Sequence, residues 1–212
     1  MKTIALAYLT CLGLLTAQAT SQPAKNEFPM VIEGVKYQVK AYQPKFPIVI
    51  EPLVDKDFRP KSKLLLAIML THSDISSYMS DEEIFSFVRA KPDKDLAQTH
   101  RSMMKTMFEL TGPSAADNPW KGMKYVVDQG LVVESEKGKF LVYKLSTQGG
   151  KDINGKLVAS LKNVDGKWMI GGEDSEAGKK FQKSIMELVP AEFDKLRKSS
   201  SVEPLPFEVL LN

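Results

Sequence analysis

The stretch SLKNVDGKWMIGG, residues 160–172, decides the fold class. Asp165-Gly166 is a residue pair that favours the positive φ angles of a two-residue hairpin turn. Beyond the turn, apolar and polar residues alternate, so Trp168 and Ile170 are expected on one face of a strand. An indole on that face is a large apolar anchor for a core. The stretch therefore predicts an antiparallel hairpin whose second strand carries a tryptophan against the interior.

The pattern of this hairpin begins at residue 123. Glycine-containing connections separate segments that alternate with a period of two, and short connections make neighbouring strands antiparallel. We therefore expect a five-stranded meander. Its strands are KYVV, LVVES, KFLVYKLS, KLVASLKN and KWMIGG, and the segments between them are DQG, EKG, TQGGKDING and VDG.

Helices are expected before the meander. Residues 64–70, LLLAIML, are rich in helix-forming side chains. Ser80 and Glu83 have the S-x-x-E spacing of a capping box, in which each side chain satisfies a backbone N–H of the other residue. The apolar spacing from Lys94 to Leu110 predicts a third helix.

Further segments flank these elements. Residues 30–54 alternate and predict an N-terminal β extension. Residues 175–198 predict an amphipathic helix, which Pro190 is expected to kink or divide. The tail, residues 199–212, ends in the apolar sequence PLPFEVLL. Such a tail is able to add a strand to a sheet edge of its own domain or of another subunit.

The predicted fold class is α+β. N-terminal helices pack on a curved antiparallel five-stranded meander, with an N-terminal β extension and a C-terminal amphipathic helix. The expected divisions are a signal peptide at 1–19, a flexible leader at 20–29, the β extension at 30–54, the α+β domain at 62–198 and the tail at 199–212.

The first nineteen residues, MKTIALAYLTCLGLLTAQA, have the parts of a secretory signal. Lys2 gives a positive start, an apolar run follows, and Ala17-Gln18-Ala19 supplies the small-x-small pattern of a cleavage site. Cys11 is the only cysteine and lies inside this segment, so a mature chain would hold no disulfide. We expect an exported protein, periplasmic or secreted after cleavage near Ala19.

The composition of the mature chain limits the classes of partner that are expected. Cleavage would leave about 193 residues (212 minus 19), with 28 basic residues (29 minus Lys2) and 26 acidic ones. A balance so close to neutral does not indicate a nucleic-acid partner. No second apolar run has membrane length, so the mature chain is not expected to span a membrane.

Helices followed by a meander that ends in Val-Asp-Gly-Lys-Trp resemble the NTF2-like (nuclear transport factor 2-like) α+β cone superfamily. The resemblance covers roughly residues 62–172 and rests on the hairpin and the order of elements. It implies a cone in which helices and sheet enclose a pocket open at one end. Members use this pocket for isomerisation, dehydration or hydrolysis of small apolar molecules, for ligand binding, or only for dimerisation. The chain departs from the family plan in its N-terminal strands and long C-terminal helix. It also shows no clear strand pattern between the second and third helices.

His72, Asp74 and Tyr78 are the candidate catalytic residues. Asp74 is placed to orient the imidazole of His72 as a general base, and Tyr78 to donate to a developing oxyanion. A structural interpretation is also open. In it, His72 lies at a helix C-terminus and Asp74 caps the next turn. His100, on the polar side of the third helix, is expected to be exposed.

Met103, Met107 and Trp168 are the candidate ligand-binding residues, because methionine and tryptophan side chains line adaptable apolar pockets. The same methionines are also compatible with a role in the core. Two histidines and no mature cysteine do not supply the three or four ligands that a metal site needs, so neither a metal nor a cofactor is expected.

Three functions remain open from the sequence. The first is an exported protein that binds a small apolar ligand or a protein partner without catalysis. The second is a lyase or isomerase using His72 and Asp74. The third is a sheet-edge interaction module, and a homodimer is compatible with any of them.

The signal segment makes one prediction that is independent of the fold. Protein recovered from the exported fraction of its host should have a mature mass that begins at Thr20, measured by native mass spectrometry. A mass that includes Met1 to Ala19 would contradict cleavage.

Overall fold

The computed structural model describes residues 25–88, 94–109, 118–135, 138–151, 154–171 and 175–212. The signal peptide and most of the leader predicted at the N-terminus lie outside these residues. The strands are β1 Glu27–Ile32, β2 Val35–Gln43, β3 Val49–Ile50, β4 Lys124–Ser135, β5 Gly138–Gln148, β6 Gly155–Val164, β7 Lys167–Met169 and β8 Leu205–Pro206. The helices are α1 Lys63–His72, α2 Asp81–Phe85, α3 Lys94–Glu109 and α4 Glu176–Lys198, with 3₁₀ helices at Asp74–Tyr78 and Phe207–Leu211.

The strands form one mostly antiparallel sheet in an α+β fold, as the sequence predicts. The order of its long path is β1-β2-β4-β5-β6-β7, with β3 paired to β4 and β8 paired in parallel to β2. The N-terminal β extension is therefore an integral part of the sheet, because β2 is the direct neighbour of β4.

Helices cover both faces of this sheet. Adjacent residues of β5 show the division, since Leu141 and Tyr143 join the core beneath α1, whereas Phe140 and Val142 join the core beneath α4. A strand buried on both faces has few polar positions, which is why this segment reads as a nearly continuous apolar run.

The five-stranded meander is observed as four strands, because KYVV and LVVES form the single strand β4. Asp128 is the extra residue of a β-bulge, at which the pairing with β5 shifts register. One extra residue reverses the alternation of side chains. Tyr125 and Val127 therefore face the α1 core, whereas Leu131 and Val133 face the α4 core.

Gly130, in the same DQG segment, allows the C-terminal tail to pack on the sheet. A Cβ at Gly130 would lie 2.5 Å from Cε2 of Phe207, which is fully buried there. The expectation of a turn at DQG was wrong because glycine in a strand also marks a close approach by another segment. The tail docks on its own domain, and we call residues 202–212 the C-terminal strap.

Two of the short-range predictions are confirmed in detail. The Asp165-Gly166 turn has φ angles of 49° and 84°, and it joins β6 to β7. Ser80 and Glu83 make both hydrogen bonds of the capping box at the start of α2. The proline at 190 does not divide α4, which runs unbroken from Glu176 to Lys198.

Gly130→Ala should destabilise the fold, because the methyl group would force the buried ring of Phe207 out of place. We expect the free energy of unfolding to fall by about 1–3 kcal/mol, measured by urea denaturation. Gly155→Ala is the matched control, since its Cβ would meet only Thr147 Oγ1 at 3.7 Å in another strand of the sheet. Equal stability of the two variants would contradict the close-packing argument.

Candidate functional site

His72 lies at the end of α1 and joins a buried chain of hydrogen bonds. Its Nε2 is 3.0 Å from Oη of Tyr143, which is 3.1 Å from Oγ1 of Thr71. Thr71 donates its hydroxyl proton to the carbonyl of Ile68. Tyr143 must then donate to Thr71, and His72 must donate through Nε2 to Tyr143. The chain places a proton on Nε2, so the neutral imidazole has Nδ1 unprotonated.

Burial sets the protonation of this group. Desolvation lowers the pKa of His72 to about 4 and raises the pKa of Tyr125, whose ring lies 5.2 Å from the imidazole, to about 12. It also raises the pKa of Tyr143. At neutral pH all three side chains are uncharged, as expected for polar groups enclosed in an apolar core.

Asp74 and Tyr78 make different contacts. Asp74 is buried and its Oδ1 accepts a hydrogen bond from the backbone N–H of Val54 at 2.9 Å, while its own N–H donates to the carbonyl of Pro52. These bonds tie the segment after β3 to the 3₁₀ helix. The side chain of Tyr78 is 43 % exposed. The structure thus pairs His72 with Tyr143, a residue that the sequence did not indicate as its partner.

The segment that carries Asp74 and Tyr78 is held by Arg101 of α3. The guanidinium donates to the carbonyls of Ser76 and Met79 and to Oδ1 of Asp81 at 2.6 Å. The neighbouring His100 is partly buried rather than exposed, and burial lowers its pKa. Among the described residues, its Nε2 has no hydrogen-bond partner. Arg101 therefore fastens α3 against the 3₁₀ helix.

The three candidate ligand-binding residues line two different cavities. Met103 and Met107 lie along an open surface groove on α3, where Met103 is 57 % exposed. Trp168 lines a separate and more enclosed cavity of about 490 Å³. Met104, between the two groove methionines, is the residue that enters the protein interior.

The cavity beside Trp168, which we call the Trp168 cavity, is built from four parts of the chain. They are the start of α1, the end of α2 with the residues after it, the β6–β7 hairpin and the end of the C-terminal strap. Its lining residues are Lys61, Ser62, Lys63, Leu64, Leu66, Ser86, Phe87, Gly166, Lys167, Trp168, Leu210, Leu211 and Asn212. Its volume is within the range of about 300–1,000 Å³ that is typical of small-molecule sites.

Several contacts hold the walls of the Trp168 cavity in place. Ser62 caps α1 by accepting a hydrogen bond from the N–H of Leu65. The N–H of Ile170 donates to the carbonyl of Phe87 at 2.7 Å, which joins β7 to the segment after α2. Glu208 accepts hydrogen bonds from the backbone N–H groups of Lys45 and Phe46, which fastens the strap. The cavity is therefore supported from every side.

Trp168 is half-buried in this wall. Among the described residues, no side chain or carbonyl accepts a hydrogen bond from its indole Nε1. The other tryptophan, Trp120, donates its Nε1 proton to the carbonyl of Met107 at 2.8 Å. A ligand or solvent is thus left to satisfy the donor of Trp168.

Sequence reasoning found Trp168 but missed the other walls. The apolar end of the strap predicts sheet-edge pairing or docking on its own domain, but not that Leu210 and Leu211 line a cavity. The sequence predicts a helix at residues 64–70 but does not indicate that the start of α1 lines a cavity. Both segments are visible in the sequence, but their contact depends on the pairing of the strap with β2, which the sequence does not specify.

The described residues also bear on metal binding and on membrane spanning. Within the described residues, no group of three or more His, Cys, Asp or Glu side chains is arranged to hold a metal ion. None of the helices in that part of the chain combines the length and apolar character needed to cross a bilayer.

Comparisons of the chain with protein-family models, with curated proteins and with solved structures found no match.

The neutral state of His72 makes stability depend on pH. Because the folded-state pKa is about 4 and the ordinary value is 6.5, the unfolded chain binds a proton first as the pH falls. The contribution of His72 is complete above about pH 6.5 and is lost towards pH 4. We expect protonation of His72 in the unfolded chain to lower the free energy of unfolding by about 2–3 kcal/mol between pH 7.5 and 4.5.

Urea denaturation across this pH range tests the prediction. His72→Gln should have a flatter profile than the wild-type protein, whatever its absolute stability. His100→Gln retains His72 and should keep most of the slope. A His72→Gln profile parallel to that of the wild type would show that His72 is not held neutral.

Proposed function

We propose that the protein binds a small, largely apolar molecule in the Trp168 cavity, as a binding protein without catalytic machinery. The observation that carries the proposal is the cavity itself, with a half-buried indole and four apolar side chains from three parts of the chain around one space. These side chains are Leu64, Leu66, Phe87 and Leu211. Concave sites with mostly apolar walls and a few polar groups are the usual form of ligand pockets.

The proposal includes export, with cleavage near Ala19 and binding outside the cytoplasm. It also includes an NTF2-like cone over roughly residues 62–172. Three features support that relationship: α1 to α3 precede an antiparallel meander, the Asp165-Gly166 hairpin has the predicted turn, and Val88 forms a parallel bridge with Ile170 where a short strand would be expected. The resemblance itself did not anticipate that α4 would cover the second face of the sheet.

The catalytic alternative stays a prediction. None of the three cavities described in the protein is lined by His72, Asp74 or Tyr78. The Nε2 atom of His72 is engaged with Tyr143. A lyase or isomerase would need Nδ1 of His72 as its base and a route for substrate to reach it.

The interaction alternative loses its clearest motivation, since β8 of the strap pairs with β2 of the same chain. Partner binding through another surface and homodimer formation remain predictions.

A neutral fluorescent probe tests the proposed site. N-phenyl-1-naphthylamine should bind the wild-type protein with an increase in fluorescence, and Trp168→Ala should weaken its affinity about tenfold or more, because the indole supplies a large part of the apolar wall. The matched control is Phe46→Ala, which removes an aromatic side chain that is 74 % exposed and lines none of the three cavities.

The control variant should bind within about twofold of the wild type. Circular dichroism and urea denaturation establish that each variant is folded. Equal probe affinity of Trp168→Ala and the wild type would overturn the proposal, because the probe would then bind elsewhere.

A further inference from the structure

We propose that the ligand of the Trp168 cavity is an amphipathic anion: an apolar chain or ring system that ends in a carboxylate or a similar acidic group. This inference rests on the proposed function and names the chemical class that the cavity recognises. Its basis is the charge at the rim, which is separate from the apolar lining that indicates binding.

Three lysines, Lys61, Lys63 and Lys167, line the cavity, and no aspartate or glutamate is among the described residues that line it. None of these lysines forms a salt bridge or a side-chain hydrogen bond to another described residue. Other lysines on the same sheet are paired, as Lys40 and Lys139 are with Glu134. No aspartate or glutamate of the described residues therefore pairs with the lysines at this rim.

The lysines come from two separate elements that face one space. Lys61 and Lys63 flank the N-cap of α1, and Lys167 follows the turn of the β6–β7 hairpin. An acidic group at the rim would be within the field of all three, and at low ionic strength each contributes a favourable interaction. The positive end of α1 adds in the same direction.

The apolar walls define the remainder of the ligand. Phe87 is buried beside the cavity, and Leu64 is buried at its α1 end. A fully polar anion would leave the apolar walls of the cavity in contact with water. A neutral apolar molecule would leave the three lysines without a charged partner. A molecule with one charged end and an apolar body satisfies both parts of the site.

Decanoate, decanol and decyltrimethylammonium are matched probes, since they share a ten-carbon chain and differ in charge. Trp168 reports binding in the Trp120→Phe background, where it is the only tryptophan of the chain. We expect decanoate to bind about tenfold more tightly than decanol and to weaken as salt is added. Isothermal titration calorimetry of the wild-type protein gives the same comparison without the background substitution.

Charge removal supplies the decisive comparison. The triple variant K61Q/K63Q/K167Q should lose the preference for decanoate while keeping its affinity for decanol. The control K36Q/K124Q/K156Q removes the same net charge from exposed lysines that do not line the cavity, and it should keep the preference.

The outcomes separate the two proposals. Equal binding of decanoate and decanol, or an unchanged preference in the cavity triple variant, would overturn the anionic class and leave the binding site standing. Tighter binding of decyltrimethylammonium would overturn the anionic class as well. Failure of all three probes to bind, together with failure of N-phenyl-1-naphthylamine, would overturn the proposed function itself.

Discussion

The extra residue in β4 is the constraint on which the rest of the structure depends. The sheet has helices on both faces, so its central strands must supply apolar side chains in both directions. The bulge at Asp128 divides β4 into two halves. Odd-numbered residues before the bulge face the α1 core, and odd-numbered residues after it face the α4 core. Without it, Leu131 and Val133 would turn away from the α4 core. Gly130, two residues after Asp128, has no side chain and so leaves the space that Phe207 fills.

The Trp168 cavity is a consequence of this arrangement rather than a separate module. The strap pairs with β2, places Phe207 against Gly130 and continues as a 3₁₀ helix to the start of α1. Leu210 and Leu211 there meet the hairpin that carries Trp168. The close packing of Phe207 against Gly130 thus determines where the strap, which forms one wall of the Trp168 cavity, lies. The catalytic candidates occupy the other end of α1, where the imidazole is neutral and enclosed.

Local signals in the sequence predicted much of the fold. The turn at Asp165-Gly166 and the capping box at Ser80 depend on neighbouring residues only, and both formed as predicted. The DQG segment was wrongly predicted as a turn because β-bulges and tight turns contain the same residue types, and only the pairing with the partner strand distinguishes them.

The candidate site was predicted less well than the fold. Trp168 was found because an indole on a strand is visible in one short segment, whereas the partnership of His72 with Tyr143 joins residues far apart in the chain.

The pairing of β8 with β2 has a consequence for the order of events during folding. Tyr42 and Leu205 are register partners, yet nearly the whole described chain separates them. Contacts between residues so far apart in sequence form late, because the entropy cost of closing the loop comes before the contacts stabilise it. Before this pairing forms, the chain can complete most of the sheet but has an open cleft where the strap will lie. Until the strap docks, the sheet around Gly130 is uncovered and the Trp168 cavity lacks the wall that Leu210 and Leu211 supply.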